Sequence, residues 1–475
     1  SGVVVSCRAC PFLSRFAHHM WCGEASFNAH CRMALPRRSF TTAAAAPPPL
    51  NLSSMRLLIL GLNFSPEPVG IGRYTGELAT WLAARGHQLQ VISAPPYYPS
   101  WRLQLPFRNR YSLERYSRER SHGPGGLVVQ RCPLWVPSQP TTFKRLFHLA
   151  TFALSSTLPL LAQLRHPPDR LLVIAPAFFS AAPALLFTAL ARLRGRRVPA
   201  VLHIQDFELD AAFQLGFIAG GPLQTIAEAI ERFFLRRFAA VSSISATMCA
   251  RLSRKGVTSS RIWLFPNWVD CAAIEPTPSP AQPAWRQELG IPEHAVVALY
   301  SGSMNRKQGL ELLATTAHSL ADHPTLHWIF CGDGPSRAPF EASCTALPRV
   351  HFLSLQPAER FTALLQLADI HLLPQRAGAA DVVMPSKLLA MLASGRPVLA
   401  TAEPHTSLAA AISGADPCGV VTPPGDAAAL ATAAGALAES SALRAAMGAA
   451  ARQRALTEWD REAVLTRFEQ NLINL

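Results

Sequence analysis

The stretch Ala295-Val-Val-Ala-Leu-Tyr-Ser-Gly302-Ser-Met-Asn-Arg-Lys307-Gln-Gly309 joins a short apolar run to a loop and then to a helix beginning near Gln308. Short apolar runs that alternate with longer amphipathic ones are typical of βα units and a parallel sheet. Glycine and serine in the loop leave backbone N–H groups open to an anion, and Lys307 adds a full positive charge at the helix N-terminus. The stretch therefore predicts a strand, an anion-binding loop suited to a diphosphate, and a helix.

The same alternation extends along the chain in both directions. The predicted strands cover residues 56–61, 89–94, 171–175, 200–204, 239–244 and 263–266, then 295–301, 327–331, 350–353, 370–373, 397–401 and 419–422. A chain of 475 residues exceeds one ordinary core, so two domains are expected. The sequence predicts an α/β fold with two Rossmann-like, doubly wound domains facing a cleft.

Composition sets the expected domain boundaries. Four prolines between residues 271 and 285 are typical of a linker. The predicted segments are a leader over 1–54, a Rossmann-like domain over 55–270, a linker over 271–285, a second Rossmann-like domain over 286–455, and a helix over 456–475 that packs back on the first domain.

The first 54 residues differ in composition from the rest of the chain. They contain five arginines, no lysine, the single acid Glu24, and prolines at positions 47–49. This composition is typical of an organellar transit peptide. Alternatively, the mature protein begins at Met55. Localisation is therefore left open between a chloroplast or mitochondrion on the first interpretation and the cytoplasm or a membrane surface on the second.

The chain has a net charge of +14, and without the leader it would keep +10. Such a charge suits nucleic acid, an anionic membrane or phosphorylated substrates. Because no RNP-type or zinc-finger pattern accompanies the arginines, nucleic acid ranks last among these and is not expected as a partner. Residues 146–164 are apolar and barely reach spanning length, which favours a buried or interfacial helix over a true span and leaves peripheral membrane contact open. Residues 99–126, with six arginines, are interpreted as a solvated loop, with a substrate-binding role as the alternative.

Only four of the 44 basic residues are lysines, and two of these, Lys307 and Lys387, lie in Gly- or Ser-bearing stretches. A lysine retained in so arginine-rich a chain suggests a need for a compact ammonium group, although two chance surface lysines would explain the same observation. Ser386 and Lys387 are expected in the first turn of a helix that runs to Ala393.

Several loops are expected at the same ends of the second-domain strands, where they would form one anion site. The candidate residues for a diphosphate are Gly302, Ser303, Arg306, Lys307, Gly332, Asp333, Gly334, Asp381, Ser386 and Lys387.

In the first domain, His203 and Asp206 follow a predicted strand and are expected to point into the cleft. On the residues alone, such a histidine is as often structural as functional. Gly70, Gly72 and Arg73 follow the first strand, where they form either a ligand loop or a plain strand–helix turn, since a lone Gly-x-Gly is weak evidence.

Taken together, these motifs resemble those of the GT-B glycosyltransferases of family 4, and within them the bacterial colanic acid type of exopolysaccharide transferase. The resemblance covers about residues 55–470. The motifs that carry it are Phe64-Ser-Pro-Glu-Pro-Val-Gly-Ile-Gly-Arg-Tyr-Thr-Gly-Glu77, Ala94-Pro-Pro-Tyr-Tyr-Pro99, His203-Ile-Gln-Asp206, Phe265-Pro-Asn-Trp268, Lys307-Gln-Gly309, Gly332-Asp-Gly334 and Pro385-Ser-Lys387.

The resemblance implies that the second domain binds a nucleoside diphosphate sugar, with Lys307, Ser386 and Lys387 on the diphosphate. It implies that His203 and Asp206 are catalytic and that the loop of Gly70, Gly72 and Arg73 serves a glycan or lipid-linked acceptor. Such enzymes generally retain anomeric configuration without a protein nucleophile. No cofactor beyond the nucleotide-sugar co-substrate is expected, and no metal, because the chain has no Asp-x-Asp sequence.

One departure from the family pattern leaves alternatives open. Many members carry two glutamates separated by seven residues, the second gripping the donor ribose, whereas here Asp381 is followed by Leu389 and Ala390 where the second acid would fall. A non-hydrolysing nucleotide-sugar epimerase of the same fold, or a non-catalytic glycan- or membrane-binding relative, would also fit. A dinucleotide oxidoreductase is disfavoured because Thr75 interrupts the Gly-x-Gly-x-x-Gly pattern.

Overall fold

The computed structural model describes residues 54–68, 70–116, 125–175, 178–207, 222–276, 282–376 and 386–475. The leader up to residue 53 and the candidate Asp381 lie outside the described residues. The strands are β1 (Arg56–Gly61), β2 (Gln88–Ser93), β3 (Ser112–Tyr116), β4 (Gly126–Arg131), β5 (Arg170–Ala175), β6 (Ala200–Ile204), β7 (Ala240–Ser243), β8 (Ile262–Leu264), β9 (Val296–Ser301), β10 (Leu326–Cys331), β11 (Val350–Leu353), β12 (Ile370–Leu373), β13 (Val398–Thr401) and β14 (Gly419–Thr422).

Helices alternate with these strands along most of the chain. The α-helices are α1 (Gly70–Ala84), α2 (Thr142–Ala162), α3 (Phe178–Leu193), α4 (Pro222–Leu235), α5 (Ala246–Arg254), α6 (Gln282–Glu288), α7 (Leu310–Ser319), α8 (Arg337–Ser343), α9 (Ala358–Leu367), α10 (Ser386–Ala393), α11 (Ser407–Ser413), α12 (Ala427–Glu439), α13 (Ser441–Arg454) and α14 (Arg461–Ile473).

The described strands form two separate sheets, one in each half of the chain. The first has the order β3-β4-β2-β1-β5-β6-β7-β8 and the second β11-β10-β9-β12-β13-β14. Strands such as β9 are buried along their whole length because helices cover both faces of a parallel sheet. The predicted architecture of two doubly wound α/β domains is confirmed.

The predicted loop over residues 99–126 is wrong in part, because it contains the edge strand β3. This strand runs antiparallel to β4, with Glu114 opposite Val129, whereas the other pairings in the two sheets are parallel. β3 is largely exposed and carries charged side chains. Charges are common on edge strands because they discourage pairing with another chain. Because of these charges, β3 is not an apolar run, and a prediction based on apolar runs does not identify it.

The chain crosses between the halves twice, and the two crossings lie side by side. The Val269 N–H donates to the Trp459 carbonyl at 2.9 Å, and the Arg461 N–H donates to the Val269 carbonyl at 2.9 Å. Between them, the Arg461 guanidinium pairs with Asp270 at 2.7 Å. The segment after the first crossing is packed, since Cys271 and Ile274 are buried in the second half. Two bonded crossings limit how far the halves can separate.

The last helix, α14, packs on the first sheet rather than on the second. Val464, Leu465, Phe468 and Leu472 belong to the apolar core that covers one face of that sheet. The Phe468 ring stacks on Phe265 with centroids 3.7 Å apart. The C-terminus is therefore a structural part of the first half.

Candidate active site

A cavity of about 340 Å³ lies between the two halves. The first half lines it with residues that follow strands β1, β6, β7 and β8, and the second half with residues that follow β9, β12 and the start of α10. The lining residues are Gly70, Ile71, Tyr74, Gln205, Asp206, Ile244, Asn267, Gln308, Gln375, Ser386 and Lys387. Ligands of doubly wound sheets bind at these carboxyl ends of the strands.

Lys387 is the charged residue that the second half places in this cavity. It lies in the first turn of α10, and its Nζ is 3.2 Å from Gln308 Oε1 and 4.6 Å from the centre of the Tyr300 ring. Burial lowers the pKa of the ammonium group to about 8. Both of these contacts are neutral groups, so among the described residues neither of them neutralises the positive charge, which can attract an anion beside a helix N-terminus.

Three glycines allow the loops beneath Lys387 to pack closely. A Cβ on Gly332 would lie 1.9 Å from the Gly302 carbonyl oxygen, and one on Gly334 would lie 2.3 Å from the Met304 carbonyl oxygen. A Cβ on Gly302 would approach Lys387 Nζ to 3.4 Å. Gly332 and Gly334 therefore support the Gly302 loop, which in turn lies directly against the lysine.

The other residues that were predicted to bind a diphosphate lie around the cavity rather than in its lining. Arg306 and Lys307 are exposed on the single turn Arg306–Gln308, where the Lys307 N–H donates to Asn305 Oδ1 at 3.1 Å. Asp333 Oδ1 accepts from the N–H of Gly334 at 2.7 Å. Ser303 is exposed, and its carbonyl accepts from the Tyr300 hydroxyl at 2.7 Å.

Leu389 occupies the position at which the family pattern places the second glutamate. It is buried in the apolar core of the second half, on the helix that carries Lys387. This position is part of the packing, so it offers no polar group to a ribose. Gln308 was not predicted to be functional, although its place beside Lys307 in the quoted loop was a signal that could have found it.

Asp206 lines the cavity from the first half, and His203 does not. Burial raises the pKa of the Asp206 carboxyl group above its usual value. His203 is buried within β6, with Nδ1 3.0 Å from Ser242 Oγ on β7 and its ring edge-on to Phe265. Burial lowers the pKa of His203 to about 3, so the ring is neutral at physiological pH. This placement favours a role in positioning the end of β6, and the predicted contact of His203 with reacting groups remains a prediction.

The predicted acceptor loop divides into residues with different roles. Gly70 lines the cavity with a positive φ of 62°. Arg73 points to Glu77, with Nε 2.7 Å from Oε1. The other oxygen of Glu77 accepts from Trp268 Nε1 at 2.7 Å, and Trp268 packs edge-on against Tyr74. Tyr74, which was not predicted, thus reaches the cavity in place of Arg73.

Glu67 is a third residue that sequence reasoning missed. Its buried carboxylate accepts from the N–H groups of Tyr97 and Tyr98, each at 3.0 Å, and from Asn63 Nδ2 at 2.9 Å. Burial raises the pKa of Glu67, and these hydrogen bonds oppose the rise. The carboxylate therefore fastens the loop before α1 to the loop after β2, which could not be inferred without knowing that the two loops meet.

Gly72 serves this contact, since a Cβ on it would lie 2.5 Å from Glu67 Oε2. We expect Gly72→Ala to displace the carboxylate and to lower the free energy of unfolding by about 1–3 kcal/mol, the usual cost of overpacking. Urea denaturation would measure the loss. Gly435→Ala is the control, since a Cβ at that position would meet only Leu320, at 3.9 Å. Gly290→Ala would not serve as a control because Gly290 has a positive φ. Equal stability of the Gly72 and Gly435 variants would contradict this account.

Two family models match the chain, one on each half. The Glycosyl transferase 4-like domain matches residues 69–268, and Glycosyl transferases group 1 matches residues 281–454. The chain therefore belongs to the glycosyltransferases of the GT-B type. The chain is similar to WcaI of Escherichia coli (strain K12), whose name describes a colanic acid biosynthesis glycosyl transferase. The two sequences are 43% identical over 359 residues, which cover 74% of this chain and 85% of WcaI.

Solved structures share the fold at low sequence identity. Sucrose-phosphate synthase from Thermosynechococcus elongatus superposes with a TM-score of 0.62 at 18% identity, over 88% of this chain and 98% of the synthase. Anabaena Alr3699/HepE in complex with UDP-glucose gives 0.58 at 18% identity, over 89% of this chain and all of that one. These likenesses establish the two-domain architecture.

Proposed function

We propose that the protein transfers a sugar from a nucleoside diphosphate sugar to a glycan or lipid-linked acceptor, with retention of configuration and without a metal ion. The observation that carries the proposal is Lys387, which combines a positive charge, neutral contacts and a helix N-terminus within the cavity between the halves. The family resemblance is the basis for proposing that the anomeric configuration is retained. The absence of an Asp-x-Asp sequence favours a reaction without a metal ion.

In this mechanism the second half stabilises the leaving group. The bond from the anomeric carbon to the diphosphate oxygen breaks, and negative charge accumulates on the diphosphate near Lys387 and the N–H groups that open α10. Preorganised groups of this kind stabilise developing charge without having to reorganise. The acceptor hydroxyl attacks from the same face and passes its proton to the departing phosphate, so no protein nucleophile is required.

The first half supplies the acceptor side of the reaction. Asp206 faces Ser386 and Lys387 across the same cavity, where its carboxylate can accept a hydrogen bond from an acceptor hydroxyl. Tyr74 and Gly70 complete this side. Anabaena HepE was solved with UDP-glucose, which motivates a UDP-sugar as the first donor to test. The WcaI name motivates exopolysaccharide intermediates as acceptors.

The proposal is tested by incubating the full chain with UDP-, GDP- and ADP-sugars, with and without a lipid-linked glycan, and measuring nucleotide release and product mass. Acceptor-dependent release is expected with one class of donor. Conversion of the donor without an acceptor would instead identify an epimerase. Donor binding with no turnover under any condition would indicate a non-catalytic relative. EDTA is expected to leave the rate unchanged.

We expect Asp206→Asn to raise KM for the acceptor about 10- to 100-fold while KM for the donor changes little. An amide replaces the carboxylate in a hydrogen bond worth about 1.5–3 kcal/mol when charged. Initial rates at varied acceptor concentration would measure the change, with Asp426→Asn as a control at the N-cap of α12, outside the cavity lining. A rise confined to donor KM would contradict the proposed acceptor role.

A further inference from the structure

Helix α2 exposes a continuous apolar stripe on the first half. Phe143, Phe147, Leu154 and Leu158 are 79, 58, 78 and 71% exposed. Their spacing of four, seven and four residues places them on one face of the helix, over a length of about 22 Å. Scattered apolar residues on a surface are ordinary, but a row of large ones on one helix face indicates a binding surface.

Neighbouring residues extend this surface beside the helix. The Tyr111 hydroxyl donates to the Ser155 carbonyl at 2.9 Å, and the ring of Trp135 packs edge-on against Phe147. Both side chains are at least 40% exposed. We call the stripe with Tyr111 and Trp135 the α2 face. It combines aliphatic residues with the amphipathic aromatic side chains that favour the interface between lipid and water.

The charges around the α2 face are almost all of one sign. Lys144 and Arg145 lie in the first turn of α2, and Arg165 follows its last turn; all three are exposed. Arg108 and Arg110 are exposed just before Tyr111. In the sequence from residue 125 to residue 205, Asp169 is the only acid against nine basic residues. Long basic side chains at the ends of an apolar stripe suit anionic headgroups.

The opposite side of the helix is fixed in the protein. Among the described residues, the segment Phe143–Arg165 is the one helix long and apolar enough to cross a membrane, with a mean hydropathy of 1.2. However, Leu149, Phe152 and Leu160 are buried in the core of the first half. If the helix spanned a membrane, these residues would have to leave the core. A helix that lies in the interface between lipid and water exposes only one face to lipid, so these residues can stay buried.

Helix α2 is also connected to the acceptor side of the cavity. His148 Nδ1 lies 2.5 Å from the Trp135 carbonyl and Nε2 lies 2.9 Å from the Tyr97 hydroxyl. The N–H of Tyr97 in turn donates to Glu67, the carboxylate that fastens the loop before α1. The α2 face and the acceptor side therefore belong to one packed unit.

We propose that the α2 face docks the protein on the surface of an anionic phospholipid bilayer. The α2 face would contact the lipid interior and the anionic headgroups, and neither of these is the sugar donor or the acceptor. Membrane binding is therefore a property separate from sugar transfer. Docking would hold the acceptor side of the cavity at a constant distance from the membrane, which suits an acceptor that is anchored in lipid.

The test is co-sedimentation of the full chain with vesicles of phosphatidylcholine and phosphatidylglycerol. Leu154→Gln/Leu158→Gln removes two apolar side chains that are already exposed, so it leaves the core intact. We expect its partition onto the vesicles to fall at least tenfold. Leu355→Gln, at a leucine 64% exposed in the second half, is the matched control and should bind like the unmodified chain. Thermal unfolding of each variant checks the fold.

The remaining outcomes are equally decisive. Binding should weaken with phosphatidylcholine alone and in concentrated salt, because the basic rim acts through charge. Absence of vesicle binding would overturn the proposal, and so would undiminished binding of the double variant, because another segment would then be responsible. If the double substitution instead converts a dimer to a monomer, with no difference on vesicles, the α2 face is an interface between two copies.

Discussion

Lys387→Met is expected to lower kcat about 10²- to 10³-fold in nucleotide-sugar turnover. This is the usual loss when one preorganised donor to a developing negative charge is removed. Methionine retains the length and packing of the side chain beside Tyr300 and Gly302, so the loss would report the charge. Arg467→Met, on the exposed surface of α14, is the control and should keep full activity.

Lys387→Arg separates charge from shape. The lysine stem is confined between the Tyr300 ring and Gly302, where a planar guanidinium would need space that the loop does not offer. We expect this variant to lose most of its activity too, with intact thermal stability. Near-normal turnover of either variant would contradict the role given to this lysine. Lys307→Met should have the smaller effect because Lys307 is exposed outside the cavity lining.

The depressed pKa of Lys387 gives a pH test of the same residue. Only the protonated ammonium attracts a diphosphate, so donor affinity should fall as pH rises through about 8 in the free protein. Bound diphosphate favours the charged form, so kcat should decline at a higher pH than kcat/KM. In Lys387→Met this decline in kcat/KM should disappear. An unchanged profile in the variant would assign the titration to another group.

The sequence was sufficient for most of the parallel strands because most of these are buried on both faces. β9 and β6, for example, are apolar runs that are buried throughout, and such runs stand out against amphipathic helices. β3 and β4 were missed. β3 is a short, charged edge strand, and β4 alternates buried with half-buried residues. Edge position depends on the whole sheet and is not encoded in the five residues of β3.

The candidate site was predicted in its general location but not in its ranking of residues. Lys307 and Lys387 looked equivalent in the sequence, whereas the structure places only Lys387 in the cavity lining. Two of the three hydrogen-bond partners of Glu67, Tyr97 and Tyr98, lie 30 and 31 residues away, and Gln308 meets Lys387 across 79 residues. Contacts at such separations arise from the packing of loops, which local patterns do not determine.

Glu469→Ala is expected to lower the free energy of unfolding by about 3 kcal/mol, the lower end of the cost of breaking a buried ion pair, because the Arg85 partner is 27% exposed. The Glu469 side chain is fully buried on α14. Its carboxylate accepts from Arg85 Nε at 2.8 and 2.9 Å, and its Oε1 is 2.8 Å from His87 Nε2. Since the Met55 N–H donates to His87 Nδ1 at 3.2 Å, a neutral His87 ring carries its proton on Nε2 and donates to Glu469.

Glu469→Gln provides the pH test of this prediction. Burial alone would raise the pKa of Glu469, but the hydrogen bonds from His87 and Arg85 outweigh it and lower the pKa below the usual 4.5. A depressed pKa in the folded state contributes stability above the unfolded pKa, and this contribution is lost as pH falls through the folded pKa. The stability gap between the unmodified chain and Glu469→Gln should therefore be largest near neutral pH and narrow below about pH 4.5.

Urea denaturation across this pH range would measure the gap. Glu462→Gln is the control on the same helix, since Glu462 is exposed, accepts a hydrogen bond from Trp81 Nε1 and forms an ion pair with the neighbouring Arg461 at 3.5 Å. Its effect should stay below about 1 kcal/mol. A constant gap at all pH values would show that the substitution acts through packing. Helix α14 follows the second crossing between the halves, so loosening this helix should also lower the affinity for the sugar donor. Unchanged donor affinity in a destabilised Glu469→Ala protein would show that the cavity does not depend on this helix.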